Sequence, residues 1–234
     1  MERVNWAYDE MQQVGVNFEN AEQVAQYDSK QGSDRDAERQ LVNRLCIVPG
    51  QVVVDLGCGT GSFAREAARA GACVRAVDVS QAMLDFLQGA ASREGLSSLQ
   101  VEHAGFLTFE ASPNSVDLVV SRFALHHLPD FWKQVALLRL HDALRPEGRL
   151  YLRDVVFSFD ANSYESSVDD WVRRMPELSG FSQQEFETHV KEEYSTFAWV
   201  LEGFLERAGF DILERTYATR EYAEYLCSPR RAAA

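Results

Sequence analysis

A glycine-rich loop between a strand-like run and a helix-like run is the feature that most constrains the fold of this chain. Residues 52–54 are three β-branched valines, followed by Asp55 and Leu56, and Gly57, Gly59 and Gly61 come directly after them. After the last glycine comes an alanine-rich stretch of helical composition that stops at Gly71. Alternate glycines let the backbone approach a ligand closely and adopt positive φ angles. The pattern predicts a strand, a ligand-binding loop and a helix in immediate succession.

Strand-like and helix-like segments alternate over residues 51–155, which predicts βαβ units and a parallel sheet covered by helices. Ser80 and Asp130 are expected to act as N-caps of the second and third of these helices. Two further strands, at 210–217 and 222–227, are joined by a short turn and must be antiparallel. We therefore expect a Rossmann-like, doubly wound α/β fold with about seven strands in a mixed sheet, the last of them antiparallel.

The expected organisation is a single domain over residues 1–234 with four parts. These are an N-terminal helical cap at 1–46, a cofactor-binding core at 47–155, a helical lid insertion at 156–193, and a final helix with two strands at 194–229. The insertion is expected to lie over the end of the sheet where ligands of open α/β sheets bind.

Charge and hydropathy argue against several classes of partner. The chain has 36 acidic and 23 basic residues, a net charge of −13, which disfavours broad contacts with nucleic acids or anionic membranes. Its apolar runs are far shorter than the roughly 20 residues of a membrane span. The first residues show no secretory signal, and none of the four cysteines forms a Cys-x-x-Cys pair. We expect a cytoplasmic protein with reduced thiols.

Two cofactor classes compete for the glycine loop. Gly59-x-Gly61-x-x-Ala64 satisfies the dinucleotide fingerprint, which places a pyrophosphate at a helix N-terminus. However, Asp55 stands two residues before the first glycine, and a carboxylate facing a pyrophosphate at low dielectric is costly. S-adenosylmethionine carries an ammonium and a sulfonium and no phosphate, so the position of Asp55 favours it. Asp78 ends the next strand-like run, where an acid can accept both ribose hydroxyls.

The sequence resembles the class I S-adenosylmethionine-dependent methyltransferases, especially the small-molecule branch related to the ubiquinone-biosynthesis methyltransferases. The similar segments are residues 55–61, 76–80, 115–120, 124–128 and 144–150. The resemblance implies S-adenosyl-L-methionine as cofactor. It implies a cofactor site made of Asp55, Gly57, Cys58, Gly59, Gly61, Asp78, Val79, His103, Ala104 and Ser121. His103 stands where the family usually has an acid that contacts the adenine amino group, and a neutral imidazole nitrogen can also accept that bond.

Methyl transfer is an in-line displacement in which the protein mainly aligns the nucleophile and excludes water. A base is needed only when the nucleophile must lose a proton. The catalytic candidates are His126 as base or substrate contact, Asp154 as an orienting group, and Tyr27, which resembles a tyrosine that family members fold over the cofactor. No metal site is expected, because the adjacent His126 and His127 should point apart with no acid at ligand spacing.

The predicted function is transfer of a methyl group from S-adenosylmethionine to a small-molecule acceptor, mainly by positioning and desolvation. One alternative is a non-catalytic partner or regulatory protein that binds S-adenosylmethionine. A less favoured one is an NAD-dependent oxidoreductase. The sequence leaves open the acceptor, the attacking atom and the oligomeric state.

Overall fold

The computed structural model describes residues 6–12, 24 and 34–230, and the predicted Tyr27 lies outside this part of the chain. The described part contains seven α-helices and eight strands. The helices are α1 Arg35–Arg44, α2 Ser62–Arg69, α3 Gln81–Arg93, α4 Asp130–Ala143, α5 Tyr164–Ser179, α6 Gln183–Glu192 and α7 Ala198–Arg207. The strands are β1 Val52–Leu56, β2 Cys73–Asp78, β3 Leu99–His103, β4 Val116–Arg122, β5 Leu144–Phe157, β6 Thr196–Phe197, β7 Phe210–Tyr217 and β8 Tyr222–Pro229.

The strands form one mixed sheet in the order β3-β2-β1-β4-β5-β8-β7, with the two-residue β6 paired to β5 beside this path. Strands β1 to β5 pair in parallel. The last strand, β8, runs antiparallel to both of its neighbours, β5 and β7. The predicted fold class is confirmed, and the short β6 accounts for the one strand beyond the expected seven.

Both faces of the sheet are covered by helices, as a doubly wound fold requires. Val53 packs in a buried cluster with side chains of α1, α2 and α3, whereas its neighbour Val54 packs in a second cluster with α4 and α7. Successive side chains of a strand point to opposite faces. The near-continuous apolar run of β1 follows from this two-sided burial.

The sequence signals for helix ends were partly right. Ser80 is the N-cap of α3, and its hydroxyl accepts a hydrogen bond from the Met83 backbone N–H at 3.2 Å. The prediction for Asp130 was wrong, because Pro129 is the N-cap and Asp130 is the first residue of α4. The Asp130 carboxylate instead accepts from the Lys133 ammonium at 2.8 Å.

Strand β5 contains an irregularity in its pairing with β4. The pairing begins at Val116 opposite Leu144 and resumes at Leu118 opposite Arg149. Beyond β5, the insertion folds as α5 and α6 around Trp171, which is 1% exposed. No helix in the described ranges combines the length and apolar character that crossing a membrane requires.

Candidate functional site

Two cavities meet at the glycine loop, beside the carboxyl ends of β1, β2 and β4. The smaller has a volume of about 120 Å3 and the larger about 650 Å3. Gly57, Gly59, Arg122, Phe123 and His127 line both. Open α/β sheets bind ligands at this edge, where the strand order reverses.

Five of the predicted cofactor residues line the smaller cavity: Gly57, Gly59, Asp78, Val79 and Ala104. The Asp78 carboxylate accepts hydrogen bonds from the backbone N–H groups of Gly59 and Ser80, both at 2.8 Å. Burial raises the pKa of Asp78, and these two hydrogen bonds offset part of the rise. Each oxygen holds one bond and has a second lone pair for a ligand hydroxyl.

His103 does not reach the smaller cavity. Its side chain is exposed, and its Nε2 lies 2.8 Å from the Val79 carbonyl oxygen. Glu10, which is 7% exposed, lines this cavity instead. Its carboxylate accepts from the Leu107 backbone N–H at 2.9 Å and from the Thr108 hydroxyl at 2.7 Å. Sequence analysis missed Glu10 because it lies 97 residues before its partner Leu107.

Asp55 lies under the glycine loop at the wall of the larger cavity, together with Cys58. It is 2% exposed, and its Oδ2 is buried without a hydrogen-bond partner in the described residues. Burial raises the pKa of Asp55 to about 7, although the Arg122 guanidinium lowers it in part. Burial also raises the pKa of the Cys58 thiol well above its usual range. A buried carboxylate oxygen without a partner fits a cationic ligand group.

Gly61 and Ser121 line neither cavity. Gly61 is the N-cap of α2 at a φ of +74°, and a Cβ there would lie 2.3 Å from Leu87 of α3. Ser121 lies within β4 and is fully buried, with no hydrogen-bond partner for its hydroxyl in the described residues. The structure gives Gly61 a role in packing and places Ser121 behind the cavity wall.

His126 and Asp154 are in contact, and both are buried. The Asp154 carboxylate contacts His126 Nδ1 and also accepts from the His126 backbone N–H at 3.1 Å. On the other side of the ring, His126 Nε2 lies 3.2 Å from the Glu193 carboxylate. Burial alone lowers the pKa of His126, but the two carboxylates raise it to about 9. The Asp154 and Glu193 carboxylates therefore favour the protonated form of this ring.

The structure also brings His127 and Glu193 to this place. The rings of His126 and His127 have centroids 4.3 Å apart, and burial and the charge of His126 lower the pKa of His127 to about 4. One ligand atom each of His126, His127 and Glu193 lies within 4.8 Å of the others. The expectation that the histidines point apart with no acid beside them was wrong. Glu193 follows α6 in the insertion, and no local sequence signal links it to β4.

The rest of the larger cavity is lined by aromatic and polar side chains. The aromatic ones are those of Phe123, Tyr151, Trp171, Phe181, Phe186 and Tyr222. Arg122, Arg153 and Glu38 stand among the polar residues of the wall. The cavity therefore combines an apolar surface with ionised groups next to the glycine loop.

Comparisons with known proteins agree with this geometry. Residues 53–148 match the family model described as a methyltransferase domain. An uncharacterized methyltransferase of Bacillus mycoides strain KBAB4 is 27% identical over 208 residues, which cover 89% of this chain and 90% of that protein.

Two solved structures show how widely the fold is shared. Phosphoethanolamine N-methyltransferase 2 of Haemonchus contortus, in complex with S-adenosyl-L-methionine, matches with a TM-score of 0.68 at 17% identity. The match covers 91% of this chain and 58% of that one. The cyclase SpnF matches with a TM-score of 0.65 at 19% identity, over 85% of this chain and 82% of that one. Residues 53–148 thus match a methyltransferase domain, and the fold is shared with a methyltransferase of known structure.

Proposed function

We propose that the protein transfers a methyl group from S-adenosyl-L-methionine to a small-molecule acceptor. The observation that carries this proposal is the buried, unpaired carboxylate oxygen of Asp55 beneath the glycine loop of a methyltransferase domain. This carboxylate attracts the ammonium of S-adenosylmethionine and repels the pyrophosphate of a dinucleotide. The cofactor is therefore S-adenosyl-L-methionine.

The smaller cavity supports a place for the adenosine part of this cofactor. Asp78 offers a lone pair on each oxygen to the ribose hydroxyls. Glu10 offers a buried carboxylate to the adenine amino group, in the role first predicted for His103. Val79 and Ala104 line the same cavity and supply backbone and apolar contacts to the adenosine.

The larger cavity supports a place for the acceptor. When bound, the cofactor supplies the methyl group and its own leaving group, so the protein needs few reacting side chains. Helices α5 and α6 cover the cavity, and their aromatic side chains exclude water and hold the acceptor beside the glycine loop. His126 lines this cavity and orients the attacking group. Asp154 lines neither cavity and acts through its contact with His126 Nδ1. Tyr27 stays a prediction for the segment outside the described residues.

A small molecule is the acceptor class that the cavity favours. Its volume of about 650 Å3 lies within the range of small-ligand sites. The net charge of −13 disfavours a nucleic acid. The aromatic wall of Trp171, Phe186 and Tyr222 suits an acceptor with an apolar ring, which agrees with the resemblance to the ubiquinone-related branch.

Thermal unfolding with S-adenosylhomocysteine and with NAD in separate samples tests the cofactor. A ligand at about 100 times its dissociation constant adds roughly 2.7 kcal/mol of stability, which raises the melting temperature by about 5 to 10 °C at this chain length. We expect a shift with S-adenosylhomocysteine and none with NAD. A shift with NAD alone would establish the oxidoreductase alternative instead.

The non-catalytic alternative needs a second measurement, because binding of S-adenosylhomocysteine does not show that a methyl group is transferred. Ring-bearing phenols, amines and thiols are incubated with labelled S-adenosylmethionine, and labelled product is measured by mass. We expect label on one class of acceptor. Binding of S-adenosylhomocysteine without product from any class would favour a non-catalytic partner.

A further inference from the structure

Two imidazoles and one carboxylate converge on the wall of the larger cavity, outside the predicted cofactor contacts. His126 and His127 follow β4, whereas Glu193 comes from the end of the insertion. One ligand atom from each lies within 4.8 Å of the other two, and His126 Nε2 is 3.2 Å from Glu193 Oε2. We propose that His126, His127 and Glu193 bind a divalent transition-metal ion, of which Zn²⁺ is the simplest to test.

The ligand chemistry supports such an ion. Imidazole nitrogens and a carboxylate oxygen suit zinc, and the same set with open positions also binds iron and neighbouring metals. Magnesium and calcium prefer sites made of oxygen atoms alone. A separation of up to 4.8 Å between ligand atoms closes to bonding distances of about 2.0 to 2.2 Å from a central ion by small side-chain rotations.

Contacts around the three ligands are those that orient metal-binding side chains. Histidines that bind metals almost always donate their other ring N–H to a carboxylate or a carbonyl. Asp154 contacts His126 Nδ1 and also accepts from the His126 backbone N–H, so it fixes the ring with Nε2 directed at Glu193. An ion bound at Nε2 takes the place of the proton on that nitrogen, which is released to water. His189 does the same for the carboxylate, since its Nδ1 contacts Glu193 and its Nε2 lies 2.7 Å from the Ser195 hydroxyl.

An unused polar atom points to a cation in the same place. The side chains of Glu193 and Asp154 are only 6% and 3% exposed and lie on the two sides of the His126 ring, in a poorly hydrated region. His127 Nδ1 is buried and has no hydrogen-bond partner among the described residues. Burial of an unpaired polar nitrogen beside a carboxylate is unfavourable, and a shared metal ion relieves it.

The position of the site defines what the ion would do. His126, His127 and Glu193 all line the larger cavity, so the ion has free coordination positions on the cavity side. An oxygen or nitrogen of the acceptor, or a water molecule, would occupy them. A hydroxyl held there loses its proton to water more readily, because a bound metal lowers its pKa. This last step rests on the proposed methyl transfer, whereas metal binding itself does not.

The experiment measures metal binding to the whole chain, with any affinity tag removed and bound metal stripped by a chelator. Zinc chloride is titrated by calorimetry, and Co²⁺ is added to a second sample to record its visible absorption. We expect one ion per chain and Co²⁺ bands typical of nitrogen and oxygen ligands. We also expect His127→Gln and Glu193→Gln to weaken zinc binding by at least about tenfold.

Two variants serve as matched controls. His141→Gln changes a histidine of α4, and Glu187→Gln changes a partly exposed acid of α6 that pairs with Lys191. Neither lines the larger cavity, so both should bind zinc as the unmodified chain does. Asp154→Asn keeps the side-chain shape and is expected to weaken zinc binding without removing a ligand. Circular dichroism of every variant checks that the chain is folded.

The outcomes separate this proposal from the proposed function. A folded chain that shifts its melting temperature with S-adenosylhomocysteine but binds neither zinc nor cobalt overturns the metal site and leaves methyl transfer standing. The metal site is also overturned, and methyl transfer still stands, when the His127 and Glu193 variants bind zinc as tightly as the two controls. Zinc binding without any shift for S-adenosylhomocysteine overturns the proposed function and leaves the metal site standing.

Discussion

The carboxylate of Glu10 lies against the backbone of Gly105, so closely that a Cβ built on Gly105 would stand 2.5 Å from Glu10 Oε2. Only a glycine leaves room for this contact. It fixes the segment 6–12 against the loop after β3, and Tyr8 of the same segment donates to the His127 carbonyl oxygen at 3.3 Å. One wall of the smaller cavity thus depends on a residue near the start of the chain.

Gly105→Ala should therefore weaken cofactor binding. The added methyl group displaces Glu10, which loses hydrogen bonds worth about 1.5 to 3 kcal/mol each for a charged acceptor. We expect the affinity for S-adenosylhomocysteine, measured by calorimetry, to fall at least about tenfold. Glu10→Ala should have a similar effect. Gly89→Ala is the control, because its new Cβ would meet only the Arg93 side-chain end at 3.4 Å. Equal affinity in Gly105→Ala and Gly89→Ala would show that Glu10 does not contribute.

Cofactor affinity should rise with pH through the range in which Asp55 loses its proton. The pKa of Asp55 is raised to about 7 in the cofactor-free protein, and a cationic ligand binds its ionised form. Between about pH 7.5 and 5.5 we expect affinity for S-adenosylhomocysteine to fall by an order of magnitude, because the competent fraction falls with pH. The ligand amino group stays protonated over this range.

Asp55→Asn should make this pH profile flat and lower the affinity at about pH 7.5. Asp85→Asn, on the exposed face of α3, should keep the profile of the unmodified chain. Calorimetry in buffers of different ionisation enthalpy would measure the proton released by Asp55. A profile that stays steep in Asp55→Asn would assign the pH dependence to another group.

Gly61→Ala should destabilise the fold rather than act on the ligand directly. Its φ of +74° strains an alanine by about 1 to 2 kcal/mol, and the contact of 2.3 Å with Leu87 adds overpacking of about 1 to 3 kcal/mol. Gly50→Ala is the matched control, because it has the same backbone strain without the overpacking. Its φ is +84°, and nothing lies within 4 Å of the new Cβ. Urea unfolding should show the larger loss for Gly61→Ala. Equal losses would mean that Leu87 moves aside freely.

Asp78→Asn should weaken binding of S-adenosylhomocysteine by about 10- to 100-fold, because the ribose hydroxyls lose a charged acceptor. Circular dichroism should show little change, since an amide oxygen can still accept one of the two backbone N–H bonds. Calorimetry gives the affinity. An unchanged affinity would place the ribose somewhere other than beside Asp78.

Local sequence signals predicted the parallel part of the sheet, because β1, β2 and β4 are short and largely apolar runs. Ser80 was predicted as an N-cap because the capping interaction spans three residues. Asp130 carries the same signal, but the preceding Pro129 has an extended backbone and takes the cap position. The position of an N-cap therefore depends on the neighbouring residues as well, and the preference of one residue does not predict it alone.

The site was harder to predict, because its contacts join distant parts of the chain. His126 and Asp154 were recognised as candidates from their places at the ends of β4 and β5. Their pairing with Glu193 depends on how the insertion folds back onto the sheet, and Glu10 depends on the path of the N-terminal segment. Neither path leaves a periodic pattern in the sequence, so the acid–histidine cluster and the acid of the smaller cavity appear only in three dimensions.

The buried Trp171 gives the larger cavity a spectroscopic reporter of its own. Its indole N–H donates to the Tyr222 hydroxyl at 3.2 Å, and the ring packs against Phe186 and His189 in the cavity wall. Trp6 and Trp199 are more than 70% exposed, so their emission belongs to indoles in water. The fourth tryptophan, Trp132, does not line the larger cavity, so a molecule that fills the cavity changes the surroundings of Trp171 alone among the four. Its fluorescence therefore reports occupancy without a label, and acceptors can be ranked before any product is known.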